Sequence, residues 1–212
     1  MIYFDNAATG GRKPDNVISA LSSAVKVCAN PGRSGHKLSL ACANLVQRCR
    51  NELNEFFDGY GFERIVFTKN CTEALNIALF GVLEQGDHVI ASCMEHNSIL
   101  RVLEHLKQLG KITYDICPLI GEGANAKLDI STLQSMIKSN TKLVAITTAS
   151  NVNGYAPPIE KIKTILPKNV LLLCDGAQGA GHFPIQMQTL GIDILTLAGH
   201  KGLHAKIGRA HV

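Results

Sequence analysis

Five short stretches of this sequence concentrate groups that could do chemistry. They are Asn70-Cys71-Thr72-Glu73, Met94-Glu95-His96-Asn97, Ser150-Asn151-Val152-Asn153-Gly154, Asp175-Gly176-Ala177-Gln178 and Ala198-Gly199-His200-Lys201. Each follows a short apolar run of strand length. Open parallel sheets bind ligands beyond the carboxyl ends of their strands, so these are the positions where a site would sit. A purely structural domain places turn residues there, and rarely His, Asp, Gln and Lys together. Lys201 brings an amine on a Gly-His-Lys-Gly turn; alone, a turn lysine reads as a solvated surface group. Asp175 ends the apolar run 171–174, where a carboxylate requires a cationic or hydrogen-bonding partner. An amine that forms an imine, a carboxylate that holds a nitrogen base and a helix start that binds phosphate together describe a site for pyridoxal phosphate (PLP).

The elements that must position these groups show in the apolar pattern. A helix is predicted from Pro14 and Asp15, with Val17, Ile18, Leu21, Ala24 and Val25 at helical spacing. Residues 30–35, Asn-Pro-Gly-Arg-Ser-Gly, form a loop. A second helix over 36–57 carries Leu38, Ala41, Leu45, Cys49, Leu53 and Phe56 on one face. Strand-length runs rich in Ile, Val and Leu follow at 64–68, 88–92, 112–117, 142–148, 170–174 and 193–197. Amphipathic stretches at 72–83, 98–109 and 130–138 separate several of them. Continuous apolar strands alternating with helices predict an α/β domain whose mostly parallel sheet is covered on both faces.

Composition excludes several classes. Hydrophobic residues make up 46% and charged residues 18%, which argues against disorder. Aromatic residues are 5% and Trp is absent, so the core must be aliphatic. The net charge of +4 has no basic cluster behind it, and no nucleic-acid partner is expected. No apolar run approaches the roughly 18 residues of a membrane span, so no membrane partner is expected. Met1–Asn6 has no basic region followed by an apolar stretch, so no secretory signal is expected. The seven cysteines, at positions 28, 42, 49, 71, 93, 117 and 174, form no C-x-x-C pair. The spacing therefore offers no metal site, and reduced, mostly buried thiols in a cytoplasmic protein are expected.

Six segments in order then resemble the cysteine desulfurase and selenocysteine lyase branch of the class V aminotransferases, which are PLP enzymes. They are Tyr3-Phe4-Asp5-Asn6-Ala7-Ala8-Thr9, Phe67-Thr68-Lys69-Asn70-Cys71-Thr72-Glu73-Ala74-Leu75-Asn76, Glu95-His96-Asn97-Ser98, Ala149-Ser150-Asn151-Val152-Asn153-Gly154, Cys174-Asp175-Gly176-Ala177-Gln178-Gly179 and Gly199-His200-Lys201-Gly202. The resemblance implies the aspartate aminotransferase-like fold (fold type I), here stopping before the small C-terminal domain. It implies that Lys201 forms the imine with the cofactor and then serves as base or acid at the substrate carbon. Asp175 would pair with the pyridine nitrogen and keep it protonated. His96 would stack on the ring, unless it is a satisfied, partly buried histidine. Gln178 and Asn151 would bond the ring hydroxyl side, unless they are ordinary turn amides. Thr72 would bind the phosphate at a helix start, a position where Thr also serves as N-cap. Cys71 would add mainly its backbone N–H, and His200 would also reach the phosphate. The family often has Ser or Thr where this chain has Ala198, so one phosphate hydroxyl contact is expected to be missing. The loop 30–36 resembles a region near the active-site mouth, with no role assigned to Arg33 or His36. Residues 5–9 would lie near the substrate carboxylate.

The expected organisation is an N-terminal segment 1–13, an incomplete PLP-binding large domain 14–204 and a non-native tail 205–212. Residues 207–212, Ile-Gly-Arg-Ala-His-Val, read as one frame of a sequencing adapter. Relatives of this kind run to nearly twice this length. Their second half brings a small domain, the cysteine that receives sulfur and an arginine for the substrate carboxylate. None of the seven cysteines lies in a segment matching that sulfur-accepting loop. The activity implied is removal of sulfur from L-cysteine, giving alanine and an enzyme persulfide. Selenocysteine lyase, cysteine sulfinate desulfinase, a true aminotransferase and a non-catalytic PLP-binding fragment remain open. The partners implied are L-cysteine or selenocysteine, a second copy of the chain in a homodimer, and a sulfur-acceptor protein.

Overall fold

Apolar runs with no polar alternation can be satisfied only if both faces of their sheet are covered, and the chain is arranged to do this. The computed structural model describes residues 2–27 and 29–205. Two helices lead in, α1 (Asp15–Lys26) and α2 (Lys37–Phe56), followed by α3 (Cys71–Val82). The order continues β1 (Asp87–Ser92), α4 (Asn97–Gln108), β2 (Ile112–Cys117), a short hairpin of β3 (Leu119–Ile120) and β4 (Lys127–Leu128), and α5 (Ile130–Ser135). It closes with β5 (Thr141–Thr147), α6 (Ile159–Ile165), β6 (Leu171–Asp175), α7 (Met187–Leu190) and β7 (Ile194–Thr196). The main sheet runs β2-β1-β5-β6-β7, and each neighbouring pair is parallel.

Successive side chains of a strand point to opposite faces, and here each face has its own core. Val89, Ala91, Leu143, Ala145 and Leu173 pack with Leu75 and Leu79 of α3 and Ile99 and Leu103 of α4. Ile90, Val144, Ile146, Leu172 and Cys174 pack on the other face with Phe57, Leu133 of α5 and Ile162 of α6. The helices are started by side chains that accept from their first-turn N–H groups. Asn70 caps α3 through Glu73 N, His96 caps α4 through Ser98 N, and Asp129 caps α5 through Thr132 N.

The strand order reverses between β1 and β5: from β1 the sheet grows to β2, and from β5 it grows to β6 and β7. The carboxyl ends at that reversal are Ser92 and Thr147, which is where a parallel sheet leaves a crevice.

Two expectations fail. Residues 64–68 do not form a strand. Phe62–Arg64 is a 3-10 turn, and 65–68 are without helix or ladder assignment. Only Ile65 of this run is fully buried, while Val66 is 54% exposed. The run borders β7 through Ile65, yet among the described residues β7 pairs only with β6. An apolar run becomes a strand only when a neighbouring backbone offers matching N–H and C=O groups. The second failure is the apolar face of α2: Leu38, Leu45 and Phe56 are exposed, and Ser39 is the helix's one buried residue. On α1 no residue is buried, and Ile18, Leu21 and Val25 face outward. Helix α2 forms as its pattern predicts, with Leu53 packed on the core and Cys49 half-buried, but the described residues leave Leu38, Leu45 and Phe56 uncovered. The tail 205–212 lies outside the described residues apart from Ala205.

The contrast between faces is testable on α3. Leu79 is fully buried and Ile77 is 55% exposed. Leu79→Ala is expected to cost about 2–5 kcal/mol in denaturant unfolding, whereas Ile77→Ala stays within about 0.5 kcal/mol.

Candidate active site

The carboxyl ends of β1, β5, β6 and β7, with the start of α3, enclose a cavity of about 340 Å³. Its lining includes Cys71, Thr72, His96, Asn151, Asp175, Gln178, His200 and Lys201. All eight positions singled out from the sequence therefore meet in one place.

Asp175 forms the floor. It is the last residue of β6 and is 3% exposed. Its Oδ1 accepts from Ala177 N at 2.9 Å and from the Cys71 thiol at 3.5 Å. No hydrogen bond to Oδ2 is made among the described residues, and no salt bridge reaches Asp175. Burial pushes its pKa above the ordinary value, against the Ala177 N–H, the Cys71 thiol and the charges of His96 and Lys201, which pull it down. The floor is thus a desolvated carboxylate with one oxygen uncommitted. Gly176 must follow it, because a Cβ there would press on the Thr196 carbonyl oxygen, which accepts Gly176 N at 2.7 Å.

Lys201 stands on the 199–202 turn beyond β7. Its ammonium makes no salt bridge among the described residues, although its charge is felt at Asp175 and Cys71. The turn is pressed onto residues 179–181. A Cβ on Gly202 would strike the Ala180 carbonyl oxygen, and one on Gly181 would strike Gly202. The N-terminal segment pins it from the other side. The His200 carbonyl accepts Gly10 N at 3.0 Å and Lys13 Nζ at 2.8 Å, and His200 Nδ1 lies 3.0 Å from Thr9 Oγ1. Ala8 lines the cavity, so the 5–9 segment does reach the site.

His96 is fixed by its own helix. Nδ1 accepts from Ser98 N at 3.1 Å and lies 2.7 Å from Ser98 Oγ. With Nδ1 engaged, Nε2 is the ring nitrogen left for other partners. Ser98 also lines the cavity, and its hydroxyl is 3.0 Å from Thr72 Oγ1. Two hydroxyls thus meet beside the first turn of α3, whose leading N–H groups have no intrahelical acceptor. Ala198 is buried on the wall and offers no hydroxyl, as expected; Ser98 is a hydroxyl the sequence reading did not assign.

Three positions show contacts beyond those expected. Asn70, not Thr72, is the N-cap of α3, which leaves the Thr72 hydroxyl to Ser98 and the cavity. Cys71 brings more than its backbone: its thiol lies 3.5 Å from both Asp175 Oδ1 and Thr196 Oγ1. Burial and Asp175 push that thiol's pKa far up, so it stays a thiol. Gln178 Nε2 donates to the Ala7 carbonyl at 3.0 Å, tying the N-terminal segment to the turn after β6. Asn151 is exposed on the cavity rim.

Glu95 was overlooked. It lies one residue before His96, is 6% exposed and accepts from Ser92 Oγ and, at 2.7 Å, from Thr147 N. The available signal was a second carboxylate on the turn that follows an apolar strand. Six cysteines are described, all as free thiols; Cys117 and Cys174 are buried and Cys93 is exposed. Among the described residues no group of His, Cys, Asp and Glu is arranged to hold a metal ion, and no helix is long and apolar enough to cross a membrane.

The arrangement agrees with what the chain is similar to. A probable cysteine desulfurase of Halalkalibacterium halodurans is 32% identical over 95% of this chain and 50% of its own length. A cysteine desulfurase of Yersinia pestis is 31% identical over 95% of this chain and 50% of its own. The apo structure of the cysteine desulfurase from Thermococcus onnurineus superposes with a TM-score of 0.89 at 31% identity, covering 99% of this chain and 52% of that one. The chain therefore spans about half the length of the curated relatives it matches. The family model for aminotransferase class-V runs from residue 2 to residue 208, so that every element described above falls within it, and this chain is a member of the class-V aminotransferase family.

Proposed function

We propose that this cavity binds PLP and that the chain contributes the cofactor-holding large domain, residues 14–204, of a cysteine desulfurase. The observation that carries the reading is the floor and wall of the cavity. Asp175 keeps one oxygen uncommitted on the cavity, and Lys201 keeps an amine out of any salt bridge among the described residues. A buried carboxylate of this kind is stabilised by a protonated ring nitrogen. When bound, PLP takes into its ring the electron pair released as a bond at the substrate carbon breaks.

The residues divide the remaining work. Asp175 Oδ2 would accept from the ring nitrogen and hold its proton in place. His96, fixed through Nδ1, would cover one ring face. Asn151 and the free oxygen of the Gln178 amide would face the ring hydroxyl side. Thr72, Ser98, His200 and the first N–H groups of α3 would hold the phosphate dianion. Lys201 would attach the cofactor by its amine and move the proton at the substrate α-carbon. L-cysteine is the substrate the relatives' names point to, with alanine and sulfur on an acceptor cysteine as products. Of the described cysteines at the floor, Cys71 is held as a thiol and Cys174 is fully buried, so neither is placed to take that sulfur. The uncovered apolar residues of α1 and α2 fit a homodimer or a following domain seated on them, as larger relatives would provide.

Lys201→Ala is expected to abolish the visible band of bound PLP and to lower alanine release from L-cysteine by at least about 100-fold in the full natural chain. Retention of both would refute the assignment. Asp175→Asn separates stability from function. Because burial raises the folded-state pKa of Asp175, its ionisation costs stability as pH rises above its unfolded value. Removing that charge is expected to raise the stability of the cofactor-free chain at pH 7, while PLP binding weakens. Parallel melting curves and PLP titrations check the two effects.

A further inference from the structure

Glu95 is the most deeply buried carboxyl group outside the set that faces the cavity. It sits on the turn between β1 and α4, one residue before His96. Its Oε1 accepts two hydrogen bonds, from Ser92 Oγ at the end of β1 and from Thr147 N at the end of β5. Those two strand ends flank the point where the sheet order reverses. Oε2 is equally buried and has no hydrogen-bond partner.

The surroundings are electrostatically one-sided. Asp175 acts on Glu95 from β6, where Thr147 stands in register beside it. The Cys174 thiol of β6 also feels Glu95, and Cys93 and His96 flank it on its own turn. No lysine, arginine or histidine forms a salt bridge with Glu95 among the described residues. As a carboxylate, Glu95 would leave a buried, unpartnered charge next to a second carboxylate. As a carboxylic acid, it carries its proton on Oε2 and leaves Oε1 free to accept both donors.

We infer that Glu95 is a positioning residue that works as an uncharged carboxylic acid, clamping β1 to β5, holding the turn that presents His96, and leaving Asp175 as the negative charge of the cavity floor. The role toward His96 and Asp175 rests on the PLP reading given above; the proton on Glu95 does not. Burial, reinforced by Asp175, pushes the Glu95 pKa up to about 8 from an ordinary 4.5, against the bonds from Ser92 and Thr147. A carboxyl whose folded pKa is raised holds its proton more tightly folded than unfolded. Its contribution to stability therefore falls as pH rises from about 4.5 to about 8.

The test compares wild type, Glu95→Gln and Glu95→Ala in the full natural chain, with PLP itself as the probe. Gln keeps a neutral group and the accepting oxygen, whereas Ala removes the clamp. At pH 7, Glu95→Gln is expected to bind PLP within about threefold of wild type and Glu95→Ala about tenfold or more weakly. In the cofactor-free protein, wild-type stability should fall more steeply between pH 4.5 and 8 than that of Glu95→Gln. Superimposable pH–stability profiles would overturn the proton assignment. Glu95→Gln binding as poorly as Glu95→Ala, or Glu95→Ala binding like wild type, would overturn the positioning role. If wild type binds no PLP, the cavity reading fails and takes that role with it, while the pH–stability profiles still decide the proton.

Discussion

A buried carboxylate that no cation meets in a salt bridge among the described residues is the constraint around which this molecule is built. Asp175 ends the strand β6, in the middle of a sheet whose faces are both apolar. It is the point at which the sheet exchanges hydrophobic burial for chemistry. Two donors hold one of its oxygens, and the other is left to the cavity. Such a group is a standing cost to the folded chain unless a ligand supplies the missing positive partner. The neighbouring features follow from bringing backbone close to it. Gly176 has no room for a side chain against Thr196, and Thr148 donates both N–H and hydroxyl to the Asp175 carbonyl.

The amine is positioned by a different principle. Lys201 lies past the last strand, on a turn with little core of its own. Backbone-to-backbone contact takes the place of side-chain packing there. Gly202 and Gly181 meet at a distance that only glycines allow, and the N-terminal segment closes over the other side through Thr9, Gly10 and Lys13. Gln178 extends the same fastening from the turn after β6 to Ala7. The first dozen residues, which contribute almost nothing to either core, therefore matter for where the lysine points. Sequence segments at opposite ends of the chain are mechanically one unit.

How much of this was legible beforehand depended on whether a property is local. Strand ends carrying Asp175, His96 and Lys201 were legible because a polar residue after an apolar run is a local signal with a topological meaning. The two faces of the sheet were legible for the same reason. Residues 64–68 misled because their apolar content is strand-like, while strand formation depends on a ladder partner elsewhere in the chain. The exposed face of α2 misled because periodicity reports what a helix could bury, not what arrives to cover it. By residue type Thr72 suits an N-cap as well as a phosphate ligand, but Asn70, two residues earlier, takes the cap. Glu95 was hidden by its neighbour. Its significance lies in Thr147, 52 residues away, and no spacing rule connects the two.

Two carboxyl groups lie within electrostatic reach of each other beneath one cavity, and both have their pKa raised. Neighbouring carboxyls under low dielectric do not ionise together without cost, so the site must decide which one keeps the proton. The geometry makes that choice asymmetric. Asp175 is open to the cavity through one oxygen and is drawn toward ionisation by His96 and Lys201. Glu95 has no such cation, is closed in by Ser92 and Thr147, and has nowhere for a charge on Oε2 to be answered. Negative charge is therefore placed where a ligand can meet it and kept out of the clamp between β1 and β5. A site that holds a cationic ring needs both halves of this arrangement. One carboxyl must be charged and accessible, and the other must be neutral so that the sheet ends stay together beneath it.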